Sequence, residues 1–335
     1  MVPSASPVLD LTETHEAVLS WYDAHARDLP WRRPRTSAWA VLVSEVMLQQ
    51  TPVSRVEPAW RAWLARWPTP ADLAAAPTAE VLRAWDRLGY PRRALRLREC
   101  AAVIRDRHGG RVPQSEEELR ELPGIGTYTA AAVAAFAYGR RAVVLDTNVR
   151  RVLGRALAGQ ALPPPALGRD ERDRAAAYLP ADAARSVRWN VGVMELGALV
   201  CTARAPRCEA CPLRGSCAWL RAGRPADPHA ATRRRQAWHG TDRQARGRIM
   251  AVLRARDGWH AEADLLRAGA GGADPAALTD PTQPARALAS LVSDGLAVVR
   301  YDQQHAGGEH ERGTSGVQGA GECNHDGAAP TYRLP

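Results

Sequence analysis

The stretch TSAWAVLVSEVMLQQT, residues 36 to 51, places Trp39, Leu42, Val43, Val46 and Met47 at i, i+3, i+4, i+7 and i+8. That spacing lines one face of a helix and predicts an amphipathic α-helix. TAAAVAAFAY, 129 to 138, is apolar nearly all round and predicts a buried helix. From residue 15 to 224 helical spacing recurs between Pro and Gly breaks, with no sustained strand alternation. PADPHAATRRRQAWHGTD, 225 to 242, reads as an exposed basic linker. Beyond it, RGRIMAVLRA, HAEADLLRA and ARALASLVSDG predict three short helices, and LAVVRYD a strand. Together they suggest a small winged-helix-like module over 243–302. The Gly-rich, polar stretch that follows predicts a disordered tail over 303–335. The fold class expected is all-α, with this module appended.

A length of 335 residues with 45% apolar content suggests about two domains with a proper core. The net charge of +9 calls for a polyanionic partner, either nucleic acid or an anionic membrane surface. No stretch approaches the roughly 20 apolar residues of a membrane span, and MVPSASPVLDLTETHE lacks the pattern of a signal peptide. The expected compartment is therefore a reducing cytosol, where structural disulfides are rare. All 45 basic residues are arginine. The absence of lysine removes every side-chain amine from Schiff-base chemistry.

Four of the six cysteines lie in CTARAPRCEACPLRGSC, residues 201 to 217, with spacing C-x6-C-x2-C-x5-C. Structural zinc sites usually pair two short knuckles across a long insert. Here one knuckle, Cys208 and Cys211, is flanked by the single cysteines Cys201 and Cys217. Loop spacing of this kind can fold round one compact iron–sulfur cubane. Zinc and a cluster both remain open on spacing alone.

LPGIGTYTAAAVAAF, from Leu122, sets Gly124 and Gly126 one residue apart between SEEELREL and the Ala-rich helix. Such a hairpin, with bare N–H groups at a helix start, is either a plain helix–helix turn or an anion site. In a chain this basic the natural anion is a DNA phosphate. In VVLDTNVRRVLGR, Asp146 ends an apolar run just before a helix, so it is an N-cap or a catalytic carboxylate. In SEVMLQQT, Glu45 and Gln49 are i, i+4 neighbours on the flank of the apolar stripe. Glu45 is either a solvated surface carboxylate or a partly desolvated general acid. Gln49 and Gln50 can both hydrogen-bond base edges.

Taken together, LPWR (29–32), SEVMLQQT (44–51), Leu88-Gly89-Tyr90, LPGIG, VLDTNVRRVL and the four cysteines resemble the helix-hairpin-helix DNA glycosylases, specifically those of the MutY type. The resemblance covers about two-thirds of the chain. It implies a two-lobed fold with a DNA cleft. An iron–sulfur cluster domain would span 1–37 and 146–224, a helical barrel 38–145. It also implies a structural 4Fe–4S cluster on Cys201, Cys208, Cys211 and Cys217. The expected reaction is removal of adenine mispaired with 8-oxoguanine or guanine, the target base being extruded from the duplex. Glu45 would protonate adenine N7, and Asp146 would stabilise the oxocarbenium-like sugar. Tyr128 and Asn148 would order the site. Gln50 and Tyr90 would enter or prop the opened duplex, and Trp31 would line the pocket. Gln49 and the hairpin residues Leu122, Gly124, Ile125, Gly126 and Thr127 would contact DNA.

Relatives of the endonuclease III type carry a lysine where this chain has Tyr128. The expected enzyme is thus a monofunctional glycosylase without β-lyase activity. DTN (146–148) stands where MutY enzymes often have DGN. Nothing after residue 243 resembles the 8-oxoguanine-reading domain that ends many of them. The expected partner is mispaired duplex DNA and no membrane, and the expected state is a monomer in the bacterial cytosol. The competing readings are a thymine glycosylase acting on G·T mismatches and a cluster-bearing DNA-binding redox sensor.

Overall fold

The computed structural model describes residues 10–233, 238–274, 278–301 and 329–335. In chain order its helices are α1 (Leu11–His25), α2 (Ala38–Leu48), α3 (Val53–Arg66), α4 (Pro70–Ala75), α5 (Thr78–Trp85), α6 (Arg92–Arg107), α7 (Glu116–Glu121) and α8 (Thr127–Tyr138). There follow α9 (Thr147–Ala158), α10 (Arg169–Ala177), α11 (Ala183–Leu199), α12 (Ala218–Arg221), α13 (Asp242–Ala255), α14 (Glu262–Gly269) and α15 (Gln283–Ser293). Three short strands, β1 (His260–Ala261), β2 (Val298–Arg300) and β3 (Thr331–Arg333), complete the described elements. Among the described residues no helix is long and apolar enough to cross a membrane. The chain divides into two compact units, Met1–Ala75 with Arg96–Arg235, and Ala76–Leu95 with Gln236–Pro335.

In the first unit, the Ser37 hydroxyl accepts from the Ala40 N–H at 3.2 Å and starts α2. Every residue of α2 from Trp39 to Met47 is buried. The expected amphipathic helix is therefore a wholly buried one, because α3 and α8 both pack against it. Its polar-looking flank, Ser44 and Glu45, goes inside with the rest. Trp60 of α3 donates its indole N–H to the Ala40 carbonyl at 2.8 Å, locking the two helices. The α8 helix is buried from Thr129 to Ala135. Its alanines let Ala142 and Val144 of the following extended run pack closely. A larger core joins Val18 of α1, Val149, Val152 and Leu153 of α9, and Trp189, Val193 and Leu196 of α11. Cys201 and Cys211 pack against this core, and Leu213 is part of it, so the cysteine segment is anchored to α9 and α11.

The second unit is built on the three helices α13, α14 and α15. Ile249, Leu253, Leu265, Ala287, Leu288 and Leu291 are buried along the inner faces of α13, α14 and α15. Its antiparallel sheet has the order β1–β3–β2, with Tyr332 paired to both His260 and Val299. The central strand therefore comes from 331–333, inside the stretch expected to be a disordered tail. The alternation Thr331, Tyr332, Arg333, Leu334 buries Tyr332 and Leu334 and exposes Arg333, enough to bind a strand already flanked by two partners. The rest of that expectation, 302–328, lies outside the described residues, as do 234–237 of the linker. The unit also takes in α5, which packs on α13 and has Val81, Leu82 and Trp85 fully buried. The barrel expected over 38–145 includes this segment, which the structure places in the second unit instead.

Candidate active site

A cleft of about 1230 Å³ in the first unit is lined by Trp31, Arg32, Glu45, Gln49, Gln50, Gly124, Gly126, Tyr128, Asp146 and Asn148, among others. These residues, from four separated stretches of sequence, thus meet in one place. Glu45 reaches it from the buried α2 and is only 4% exposed. Burial raises its pKa to about 7, and the nearby Asp146 charge adds to that. A hydrogen bond from the Tyr128 hydroxyl to Glu45 Oε2, at 2.9 Å, and the Arg32 charge pull the other way. Burial and the two carboxylates hold the Tyr128 phenol well above its ordinary value, so it stays a donor.

Asp146 is an N-cap and also faces the cleft. As the N-cap of α9 its Oδ1 accepts from the Val149 N–H at 2.6 Å. Its Oδ2 accepts from Asn148 Nδ2 at 2.7 Å, and the same carboxylate lines the cleft. Burial raises its pKa, while the N–H donors of Val149 and Asn148 and the Arg151 charge oppose the rise. Arg151 in turn donates to Asn148 Oδ1 at 2.9 Å, to the Gly197 carbonyl at 2.7 Å and to the Cys201 carbonyl at 2.7 Å. Gly197 is needed there: a Cβ would lie 2.7 Å from the Asn148 Cβ.

The hairpin residues separate into two sets. Leu122 and Ile125 are buried, so their side chains pin the turn and do not face outward. Gly124, Gly126 and Thr127 are exposed. Only Gly124 needs its lack of side chain, with φ +78° and a would-be Cβ 2.8 Å from Arg96 Cβ. Gly126 is the N-cap of α8 in ordinary extended backbone. Gln49 donates to the Thr129 hydroxyl at 3.4 Å, while Gln50 is exposed with φ +56°. Trp31 is buried edge-to-face against Trp60. Tyr90 belongs to the second unit.

Sequence reasoning missed a buried ion cluster beside the cleft. Glu195 is fully buried on α11. Its carboxylate accepts from Arg27 Nε at 2.6 Å, Arg27 Nη2 at 2.8 Å and Arg32 Nη1 at 2.9 Å. Burial alone would raise its pKa, but the bonds and charges of the two guanidinium groups outweigh it, and the net shift is downward. The available signal was a lone acid in the apolar run VGVMELGALV.

None of the four cysteines of 201–217 is joined in a disulfide, and each is partly buried. Burial pushes the Cys211 thiol up to about 12, and Cys201, Cys217 and Cys208 each add repulsion. Binding a metal centre would require these thiols to lose their protons. Among the described residues no group of three or more His, Cys, Asp or Glu side chains converges closely enough to hold a metal ion. Arg155 sits behind them, donating to Cys201 Sγ at 3.4 Å and to the Thr202 carbonyl at 2.7 Å.

Residues 43–169 match the family model of the HhH-GPD superfamily base excision DNA repair proteins. Residues 201–217 match the iron-sulfur binding domain of endonuclease III. The chain is 54% identical over 297 residues to an adenine DNA glycosylase of Mycolicibacterium smegmatis, covering 88% of this chain and 97% of that protein. It is 50% identical over 305 residues to the adenine DNA glycosylase of Mycobacterium tuberculosis, covering 91% and 96%. Matches of that length cannot stop before α13, so these relatives share at least part of the C-terminal module. A solved thermostable thymine-DNA glycosylase superposes with a TM-score of 0.57 at 28% identity, over 63% of this chain and 97% of that one. On sequence, fold and cleft together, the chain belongs to the adenine DNA glycosylases of the helix-hairpin-helix base excision repair superfamily.

Proposed function

We propose that the chain is a monofunctional glycosylase that hydrolyses the N-glycosidic bond of adenine opposite 8-oxoguanine or guanine in duplex DNA. The observation that carries this reading is the pair of buried Glu45 and half-buried Asp146 facing one cleft, with Tyr128 bonded to the first and Asn148 to the second. Leaving-group departure from a nucleoside needs a proton on the base and a negative charge near the sugar. The same division of labour operates in two-carboxylate glycoside hydrolysis. Glu45, with its pKa near 7, is protonated often enough at neutral pH to donate to adenine N7. Asp146 has both oxygens occupied by N–H donors. Such bonds favour its ionised form, suited to stabilising the oxocarbenium-like sugar. Water then adds to the sugar and leaves an abasic site.

A β-lyase step needs an amine nucleophile in the site. The hydroxyl of Tyr128 fills the position beside Glu45, and the chain holds no lysine. Cys201, Cys208, Cys211 and Cys217 would hold a 4Fe–4S cluster, which when bound would order the 201–217 loop through thiolate ligation. The exposed Gly124, Gly126 and Thr127 at the start of α8 supply backbone N–H groups for a DNA phosphate.

Duplexes carrying A opposite 8-oxoguanine, A opposite G and T opposite G, each with and without hot alkali, test the reading. Alkali-dependent cleavage at A, lost in Glu45→Gln and Asp146→Asn, is expected. Cleavage only at T would transfer the specificity to thymine, and cleavage without alkali would establish lyase activity. Binding without base release would leave a cluster-bearing DNA sensor.

A further inference from the structure

The loop between α5 and α6 is strained, and the C-terminal module grips it at several points. Asp86, Gly89 and Tyr90 all have positive φ, at +38°, +80° and +48°. For a bulky residue such as Tyr90 this backbone is rarely occupied unless the surroundings enforce it. Within the segment, the Gly89 carbonyl accepts from the Trp85 indole at 2.9 Å and from Arg93 Nη2 at 3.0 Å. The remaining ties come from the module. Arg254 of α13 donates to the Asp86 carbonyl at 2.8 Å. Arg83 pairs with Asp257, and Arg92 with Asp294 at 3.2 Å. Arg246 bonds the other oxygen of Asp294 at 2.6 Å, holding that carboxylate in place. At the tip, Arg243 Nη1 donates to the Tyr90 hydroxyl at 3.0 Å.

Tyr90 is nonetheless 42% exposed, and Trp238 is 47% exposed. The Arg243 guanidinium lies 4.9 Å from the Trp238 ring centre, so one cation bridges the two exposed aromatics. An aromatic ring held at a loop tip, half in solvent and flanked by a guanidinium, suits a nucleobase taken out of its stack.

Building on the function proposed above, we infer that the C-terminal module is a clamp that holds Tyr90 ready to enter the opened duplex, with Arg243 as the positioning residue. The module thereby acts on mispaired DNA through the loop it grips. Trp238, with the same guanidinium over its ring, extends the edge offered to the bases.

The test uses the full chain and the variants Arg243→Met, Arg243→Lys, Tyr90→Phe and Arg243→Met/Tyr90→Phe. Amide hydrogen exchange of 86–92 in the free protein reads the clamp itself. 2-Aminopurine beside the mispair reads unstacking, and single-turnover base release reads the consequence. Arg243→Met is expected to speed exchange of the loop and to lower both the 2-aminopurine rise and base release about tenfold. Arg243→Lys, which keeps a donor, recovers most of the loss. Tyr90→Phe, which keeps the ring but loses the acceptor, matches Arg243→Met, and the double variant is no worse than either. Unchanged loop exchange in Arg243→Met, additive losses in the double variant, or wild-type behaviour of Tyr90→Phe would overturn the clamp. If the wild type releases no base while Arg243→Met still loosens the loop, the grip on Tyr90 stands and the glycosylase reading alone fails.

Discussion

Arg151 donates to the side-chain oxygen of Asn148, and this decides which end of the Asn148 amide meets Asp146. With the oxygen held by a guanidinium, the nitrogen must point to the carboxylate, where it donates at 2.7 Å. The same Arg151 holds the Cys201 carbonyl, so the backbone of the first cysteine and the Asp146 carboxylate are two side chains apart.

Removing that arginine should therefore affect chemistry before binding. Arg151→Gln is expected to cut single-turnover base release by at least about tenfold while changing DNA affinity little. It leaves the Gly197 and Cys201 carbonyls short of a donor, at about 1–3 kcal/mol per group. A rate unchanged while the melting temperature falls would reduce Arg151 to a purely structural part.

Glu45 sets a pH dependence with a defined sign. A general acid with pKa about 7 loses its proton as pH rises through 7, so base release should fall above neutrality. Tyr128 stabilises the ionised form of Glu45 by donating to it. Tyr128→Phe should therefore raise the Glu45 pKa and move the falling limb to higher pH. A limb that stays in place, or shifts to lower pH, would contradict the bond seen at Oε2.

The same group affects stability. Its folded pKa lies above the ordinary 4.5, so its contribution is fully present below about 4.5 and is lost as pH rises through about 7. The span of roughly 2.5 units corresponds to about 3 kcal/mol. Glu45→Gln, which cannot ionise, should gain in melting temperature relative to wild type between pH 5 and pH 8. Parallel pH curves for the two proteins would show that Glu45 is not desolvated in solution.

The two hairpin glycines should behave differently. Gly124→Ala places a Cβ 2.8 Å from Arg96 Cβ at a positive φ and should destabilise by at least about 1–2 kcal/mol. Gly126→Ala meets nothing within 4 Å and should melt like the wild type. Equal melting temperatures for both would mean that the turn relaxes.

Metal analysis checks the cysteine segment. Purified protein should carry about four irons per chain with matching sulfide. Cys208→Ser should lose most of the iron and expose 201–217 to protease. A stoichiometric zinc in place of iron would replace the cluster with a mononuclear site.

Local signals carried the helices and the site residues that lie in short motifs. Ser37 before an apolar run, the Pro-Gly-x-Gly break before α8 and Asp146 before α9 each start an element by a mechanism readable in a few residues. Residue type and spacing single out Glu45 and the four cysteines but leave their roles open, surface carboxylate or general acid for the one and zinc or cluster for the others, and the family resemblance chooses between them. Whatever depends on distant pairing was not legible. Glu195 meets Arg27 and Arg32 from the far side of the first unit's sequence, and no local pattern announces that contact. The burial of α2 on every side required knowing that α3 and α8 cover it. The capture of 76–95 by the C-terminal module and the strand at Thr331–Arg333 likewise arise from contacts across most of the chain.

The central position of β3 imposes an order in time. The sheet of the second unit cannot close until Thr331–Arg333 arrives between its neighbours, whereas α5 of the same unit is made early. At a synthesis rate of roughly 5–20 residues per second, the stretch from Leu95 to Thr331 takes on the order of tens of seconds. Through that interval Val81, Leu82 and Trp85, all fully buried in the finished protein, wait without their completed unit. The newborn chain thus passes through a stage with its first unit synthesised and an apolar segment still uncovered, when a chaperone would find it.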